Sequence, residues 1–361
     1  MRALTNVLLY LFALMISHSC LAQQGFSNRS SFGGQFHYGS FITSEPKAVY
    51  VRDSYSYFSE LFFQQVAPNA SRYNRPPTQW GAGVFLGHTG SRRYIGKMAG
   101  AFSFIKLPLL KYRKLNSSIR LGAGAAWVQK PYNVVSNHKN VIIGTAFNGY
   151  INALWQNEIP VSKKLFLNAG LSFSHLSNGS STLPNLGLNI PAFSIGLHYS
   201  ANLQEPLIFQ QPNTSLNDWS MGAYSTIGVK QVPWIGSKRY IVNTASVEAT
   251  KQVSFRSSIG GGAILFYDRT FELDQNDIYP LKRDVSNAQA GVYALYEFKA
   301  GRVALPIQVG IPLLNREAND QVFQQVGIRY NVIKNLSGQI LLKTYGGRAD
   351  LIHVGLGYKI F

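Results

Sequence analysis

A single cysteine, Cys20, occurs in 361 residues, and it falls within the first 22. Residues Met1–Ala22 read as an export signal: Arg2 gives a positive start, VLLYLFALMI an apolar core, and Cys20-Leu21-Ala22 a small-x-small cleavage site. Removing that segment leaves a chain without thiols, which excludes disulfides, thiolate metal sites and a cysteine nucleophile together. Lipid attachment at Cys20 is the alternative; it is opposed by Ser17-His18-Ser19, which puts an ionisable side chain where such signals carry apolar or small ones. After the N-terminus no apolar run approaches the ~18–20 residues that a spanning helix needs, so a bundle of membrane helices is excluded. Charge is also scarce, at 14% of residues, and one-sided, with 34 Lys and Arg against 16 Asp and Glu. There is no phosphate loop, dinucleotide fingerprint or zinc signature. His18, His37, His88, His138, His198 and His353 are scattered without metal-ligand spacing. Neither a metal, a cofactor nor a nucleic-acid partner is expected.

What the chain does have is alternation. It is 46% hydrophobic and 13% aromatic, with 33 Gly, 20 Tyr and 22 Phe, and the apolar residues are spread through short period-two segments, the way a membrane β-barrel distributes them. Such segments recur near 35–43, 56–66, 78–88, 93–105, 118–128, 143–155, 164–175, 189–201, 217–229, 238–252, 256–267, 287–299, 302–312, 321–333, 336–345 and 349–361. They predict an all-β chain: one transmembrane antiparallel up-and-down β-barrel of about 14–16 strands spanning 35–361, after a polar periplasmic lead at 23–34. Residues 203–217, LQEPLIFQQPNTSLN, break the rhythm and divide 35–202 from 217–361. Two eight-stranded barrels in tandem are the alternative.

Three echoes suggest partial duplication across that break. Gly90-Ser-Arg-Arg-Tyr-Ile95 recurs as Gly236-Ser-Lys-Arg-Tyr-Ile241, Ser117-Ser-Ile-Arg-Leu-Gly-Ala123 as Ser257-Ser-Ile-Gly-Gly-Gly-Ala263, and Ser194-Ile-Gly-Leu-His-Tyr199 as His353-Val-Gly-Leu-Gly-Tyr358. The last segment alternates Ile352, Val354, Leu356, Tyr358 and Ile360 outward and ends on Phe361. A terminal aromatic on an amphipathic strand resembles the signal read by the barrel-assembly machinery, an expected partner.

The chemistry concentrates on one hairpin, Leu165–Tyr199. Its odd positions, Leu165, Leu167, Leu171 and Phe173 on one arm and Phe193, Ile195, Leu197 and Tyr199 on the other, form a lipid-facing stripe. His175, Ser177 and Asn189 share that phase, so polar groups stand where hydrocarbon would leave them unpaired at some cost. Acyl transfer needs a hydroxyl, a base, a group fixing the base's tautomer, and donors for an oxyanion. Ser177, His175 and Asn189 can fill the first three roles, and Asn185 with the amides near Asn178 and Gly179 the last. A lone His-x-Ser at a strand end is ordinarily just interfacial polarity; the Asn- and Gly-rich tip beside it, Pro184-Asn185-x-Gly187-x-Asn189, favours a site. Glu60, an isolated carboxylate among aromatics, is read as lumenal.

His175-Leu-Ser177-Asn178 followed by Pro184-Asn185-x-Gly187, on the last hairpin of an eight-stranded unit, resembles the outer-membrane lipid A 3-O-deacylases and related acyloxyacyl-hydrolase-like barrels. The likeness spans about residues 35–201. It implies an esterase removing an ester-linked acyl chain from lipid A, with His175 as base, Ser177 as nucleophile and Asn185 in the oxyanion hole. The family's third member, a glutamate, falls at Asn189. Lipopolysaccharide would then be the partner in the Gram-negative outer membrane, its phosphates suited to the +18 chain. A weakly active or inactive barrel serving as pore or scaffold is the alternative.

Overall fold

The computed structural model describes residues 30–360 apart from 44, 67–77, 113, 201–217, 232–237, 255, 273–285, 301, 315–320, 334 and 347. The export signal, the break at 203–217 and Phe361 lie outside the described residues. Every one of the sixteen alternating segments forms a strand. The first eight are β1 (Ser30–Gly39), β2 (Ser56–Val66), β3 (Gln79–Thr89), β4 (Lys97–Tyr112), β5 (Leu115–Val128), β6 (Phe147–Pro160), β7 (Leu165–Ser177) and β8 (Leu188–Ser200). The second eight are β9 (Trp219–Gln231), β10 (Arg239–Ser254), β11 (Ser257–Asp268), β12 (Ala288–Ala300), β13 (Val303–Leu314), β14 (Phe323–Asn331), β15 (Leu336–Tyr345) and β16 (Arg348–Lys359). β1 begins inside the segment read as a periplasmic lead, because Ser31 already pairs with Gln64 of β2 and Ser200 of β8.

The expected single barrel is not what forms. β1–β8 close on themselves through β1 and β8, and β9–β16 through β9 and β16, so the chain builds two eight-stranded barrels. Alternation fixes which side chains face inward on a strand, but it carries no information about which strand completes the ring.

The echoes take on a different meaning in this topology. Ser117–Ala123 lies in the fifth strand of its barrel and Ser257–Ala263 in the third of the other, and the Gly90–Ile95 turn joins the third and fourth strands of its barrel where Arg239–Ile241 opens the second. Both pairs are thus offset by one hairpin and do not mark equivalent positions. The echo of Ser194–Tyr199 in His353–Tyr358 is in phase, since each segment lies in the closing strand of its barrel.

Inward-facing residues fill the first barrel. Arg120, only 1% exposed, donates to both carboxylate oxygens of Glu60 at 2.5 and 2.8 Å and to Asn152 Oδ1 at 3.2 Å, and its guanidinium lies over the Phe104 ring. Glu60 is therefore lumenal, as expected, and its charge is committed to Arg120 and to His37 Nε2 at 3.4 Å. Directly opposite Arg120 in the β4–β5 register, Lys106 pairs with Glu158, and His198 Nδ1 meets Asn168 Oδ1 at 2.9 Å. Toward the other rim stands an aromatic layer of Phe58, Phe85, Phe102 and Tyr150. Asn152 and Tyr150 reach Ser174 Oγ at 3.0 and 3.2 Å. The lumenal network thereby braces β7 one residue before His175.

Eight strands enclose little more than the side chains they carry, so these buried charges have few alternative partners. Arg120→Ala is expected to cost about 3–5 kcal/mol by stranding Glu60, whereas replacing both residues with apolar ones is expected to restore most of that loss; denaturant unfolding in detergent micelles measures both. Separate closure also predicts that residues 23–202 alone refold into a barrel with heat-modifiable gel migration. Aggregation of that fragment through open sheet edges would return the single-barrel topology.

Candidate active site

β7 and β8 pair residue for residue up to the tip, and this register sets His175 directly opposite Asn189. On opposing outward positions the two side chains meet, His175 Nδ1 to Asn189 Oδ1 at 2.6 Å. With the amide oxygen as acceptor, Nδ1 carries the proton and Nε2 is the basic nitrogen. The backbone of Asn189 is itself fixed, its carbonyl accepting from Ile42 N–H at 2.8 Å.

Ser177 ends β7, and its hydroxyl oxygen receives two N–H donors, Gly179 N–H at 3.0 Å and Asn185 Nδ2 at 3.0 Å. Gly179 reaches this position through a positive φ of 61°, which a glycine adopts freely. The Asn185 amide is oriented from behind, because Asn178 N–H donates to its Oδ1 at 3.1 Å. That contact revises the expectation for Asn178: its main-chain N–H is engaged in aiming Asn185. Its side chain ties the tip together through Nδ2 to Thr182 O at 2.8 Å. Gly179 and Asn185 are the two donors that converge on Ser177.

The structure builds these two halves without joining them. Among the described residues no hydrogen bond links His175 to Ser177, although both occupy the outward phase of one strand. Ser177 also differs from the open, lipid-facing position expected of it, being only 5% exposed under the loop 178–187. His175 and Asn189 remain half-buried at the surface.

Gly187 was quoted in the sequence pattern but given no role there, and the structure supplies one. It has a φ of 79°, and a Cβ on it would lie 2.7 Å from His175 Cε1. Its N–H donates to Ile142 O at 3.0 Å, so the loop between β5 and β6 holds it against the imidazole. The spacing of Gly187 to Asn189 could have suggested such a brace. Nothing comparable in the sequence points to Ile142.

Apolar residues ring the outside of both barrels, among them Leu61, Leu86, Phe193, Ile195, Leu265, Ile307 and Leu356, while one strand tip gathers a hydroxyl, two N–H donors and an oriented imidazole. The class so defined is an outer-membrane-type barrel equipped for hydrolysis. A family model described as lipid A 3-O-deacylase (PagL) matches residues 60–202, and one described as acyloxyacyl hydrolase, C-terminal domain, matches residues 218–361. The chain belongs to the lipid A 3-O-deacylase family, and its function is that of an outer-membrane lipid A deacylase. No curated protein sequence matches it. Among solved structures it aligns with Neisserial surface protein A at 9% identity and a TM-score of 0.34, covering 49% of this chain and 99% of that one. A triple-mutant porin of Rhodopseudomonas blastica aligns at 8% identity and a TM-score of 0.18, covering 92% and 99%. At those scores neither superposition carries structural detail, and the barrels rest on their own strand pairing.

Gly187→Ala is expected to displace the imidazole from Asn189 and to lower kcat for fatty-acid release by about 10²-fold, the scale of a 1 Å misplacement. Heat-modifiable migration should be unchanged, since the residue lies in a tip loop.

Proposed function

We propose that the chain is a serine esterase that works from the outer membrane on an ester-linked acyl chain of lipopolysaccharide. Ser177 Oγ attacks the ester carbonyl while His175 Nε2 takes its proton, and the negative charge that develops on the carbonyl oxygen is met by Asn185 Nδ2 and Gly179 N–H. Collapse of this intermediate breaks the bond to the sugar oxygen, which leaves as an alcohol with the proton carried by His175. Water, deprotonated by the same nitrogen, then releases the fatty acid and restores Ser177. The observation that carries this reading is the pair of N–H donors, each 3.0 Å from Ser177 Oγ, two residues from an imidazole whose tautomer is fixed by Asn189. Substrate binding is the step that must bring His175 and Ser177 together, since catalytic hydrogen bonds often tighten only in the loaded complex.

The membrane location is supported by the apolar outer band, which lets acyl chains approach laterally while basic loop residues such as Arg92 and Arg93 meet head-group phosphates. The outward alternation of Val354, Leu356 and Tyr358 on β16 supports delivery through the barrel-assembly machinery. One observation favours the scaffold reading: Asn189 is neutral where the resembled family carries glutamate, so it orients the imidazole without stabilising imidazolium. Closure after eight strands opposes a pore.

Ser177→Ala and His175→Ala are each expected to lower fatty-acid release from purified lipid A by at least about 10²-fold, with migration of the folded barrel unchanged. Asn189→Glu is expected to preserve or raise the rate by placing a charge beside the imidazolium. Wild-type rates in both alanine variants, measured by mass spectrometry of lipid A, would reduce the site to a scaffold feature.

A further inference from the structure

We propose that the second barrel is a working part of the first barrel's active site: through Gln231 it holds the half of the catalytic loop that carries the Gly179 donor. The inference rests on the catalytic reading above.

The loop 178–187 is anchored at two ends by different bodies. Its Gly187 end is held by Ile142 of the first barrel, whereas its 179–183 half, which also touches Gly144 and Asn178 of the first, makes further contacts with the second. Gln231, the last residue of β9, brackets that half. Its N–H donates to Ser180 O at 2.9 Å, and its Oε1 accepts from Leu183 N–H at 2.8 Å. Ser180 Oγ donates to the carbonyl of Ala349 in β16 at 2.7 Å. Arg239 at the start of β10 donates from Nη2 to Thr182 Oγ1 at 2.8 Å. Gly179 packs so closely on β16 that a Cβ there would meet Ile352 Cγ1 at 2.2 Å.

The backbone conformation shows why these contacts matter to the chemistry. Ser180 has a φ of 64°, in the left-handed region that costs a side-chain-bearing residue energy and persists only where surroundings impose it. Those surroundings belong to the second barrel, which takes both its carbonyl and its hydroxyl. Gly179, whose N–H in the Asn178–Gly179 peptide is 3.0 Å from Ser177 Oγ, is joined to Ser180 through its own carbonyl, so a turn of the Ser180 backbone reaches that donor through the φ and ψ of Gly179 alone. Releasing Ser180 therefore lets the Gly179 donor turn away from the position where charge develops. Such a loss acts on the transition state and leaves ground-state binding in place. Gln231 is in this sense a positioning residue, and the family's catalytic barrel here depends on a partner barrel carried in the same chain.

The test is steady-state kinetics of the full-length protein in micelles, with purified lipid A as substrate and released fatty acid as the readout. Because alanine keeps the main-chain N–H that holds Ser180 O, Gln231→Ala is combined with Ser180→Ala, which removes the hydroxyl contact to Ala349. The double variant is expected to lower kcat about tenfold or more with KM within about twofold, and Gln231→Glu, which keeps an acceptor for Leu183 N–H, to stay within about threefold of wild type. Wild-type kcat in the double variant, or an equal fall in Gln231→Glu, would overturn the inference while an inactive Ser177→Ala left the catalytic reading intact. An active Ser177→Ala would overturn that reading and this inference with it. If the double variant does not fold, Arg239→Ala, which removes a contact outside both barrel lumens, decides the matter: reduced kcat at constant KM supports the inference, and wild-type kcat overturns it.

Discussion

Hydrocarbon gives a backbone N–H or C=O no partner, so a strand in the membrane must be paired along both edges. The chain meets that constraint twice, at β1 with β8 and at β9 with β16, and the rest of the structure follows from it. Closure after eight strands makes each lumen narrow enough for side chains to fill. In the first barrel the filling is a charged cluster around Arg120 and Glu60 beneath an aromatic layer, and it reaches Ser174 on the strand that carries His175 and Ser177. A rigid cylinder thus ends in a short loop, which covers Ser177 and leaves His175 and Asn189 half-buried at the surface.

The site divides the same way. His175 and Asn189 are fixed by the ladder itself, because opposite residues of an antiparallel pair have no freedom of register. Ser177, Gly179 and Asn185 depend instead on the fold of the loop and on what packs against it. The imidazole is held by sheet and the two N–H donors by loop contacts, so the two halves are open to separate adjustment. The neutral Asn189 belongs to the first half, and the second barrel acts on the other.

The strand segments were legible in the sequence because lipid and lumen impose a period of two, and His175, Ser177, Asn185 and Asn189 were legible because strand phase and spacing place them at one tip. Three things were not. The ring-closing partners of β8 and β9 leave no mark in alternation, and two of the three internal echoes joined non-equivalent strands. The burial of Ser177 comes from the loop's fold, which strand phase does not encode. Gln231 lies 54 positions beyond Ser177 in the chain, across a segment that breaks the pattern, and a glutamine at a strand end has no signature of its own.

The central claim is that Ser177 is the nucleophile, and an alkylphosphonate ester that traps serine esterases tests it most directly. After reaction with the folded protein in micelles, peptide mapping by mass spectrometry locates the adduct. The account predicts one adduct, on Ser177, formed slowly or not at all in His175→Ala. An adduct on another residue, or none from a preparation that deacylates lipid A, would contradict it.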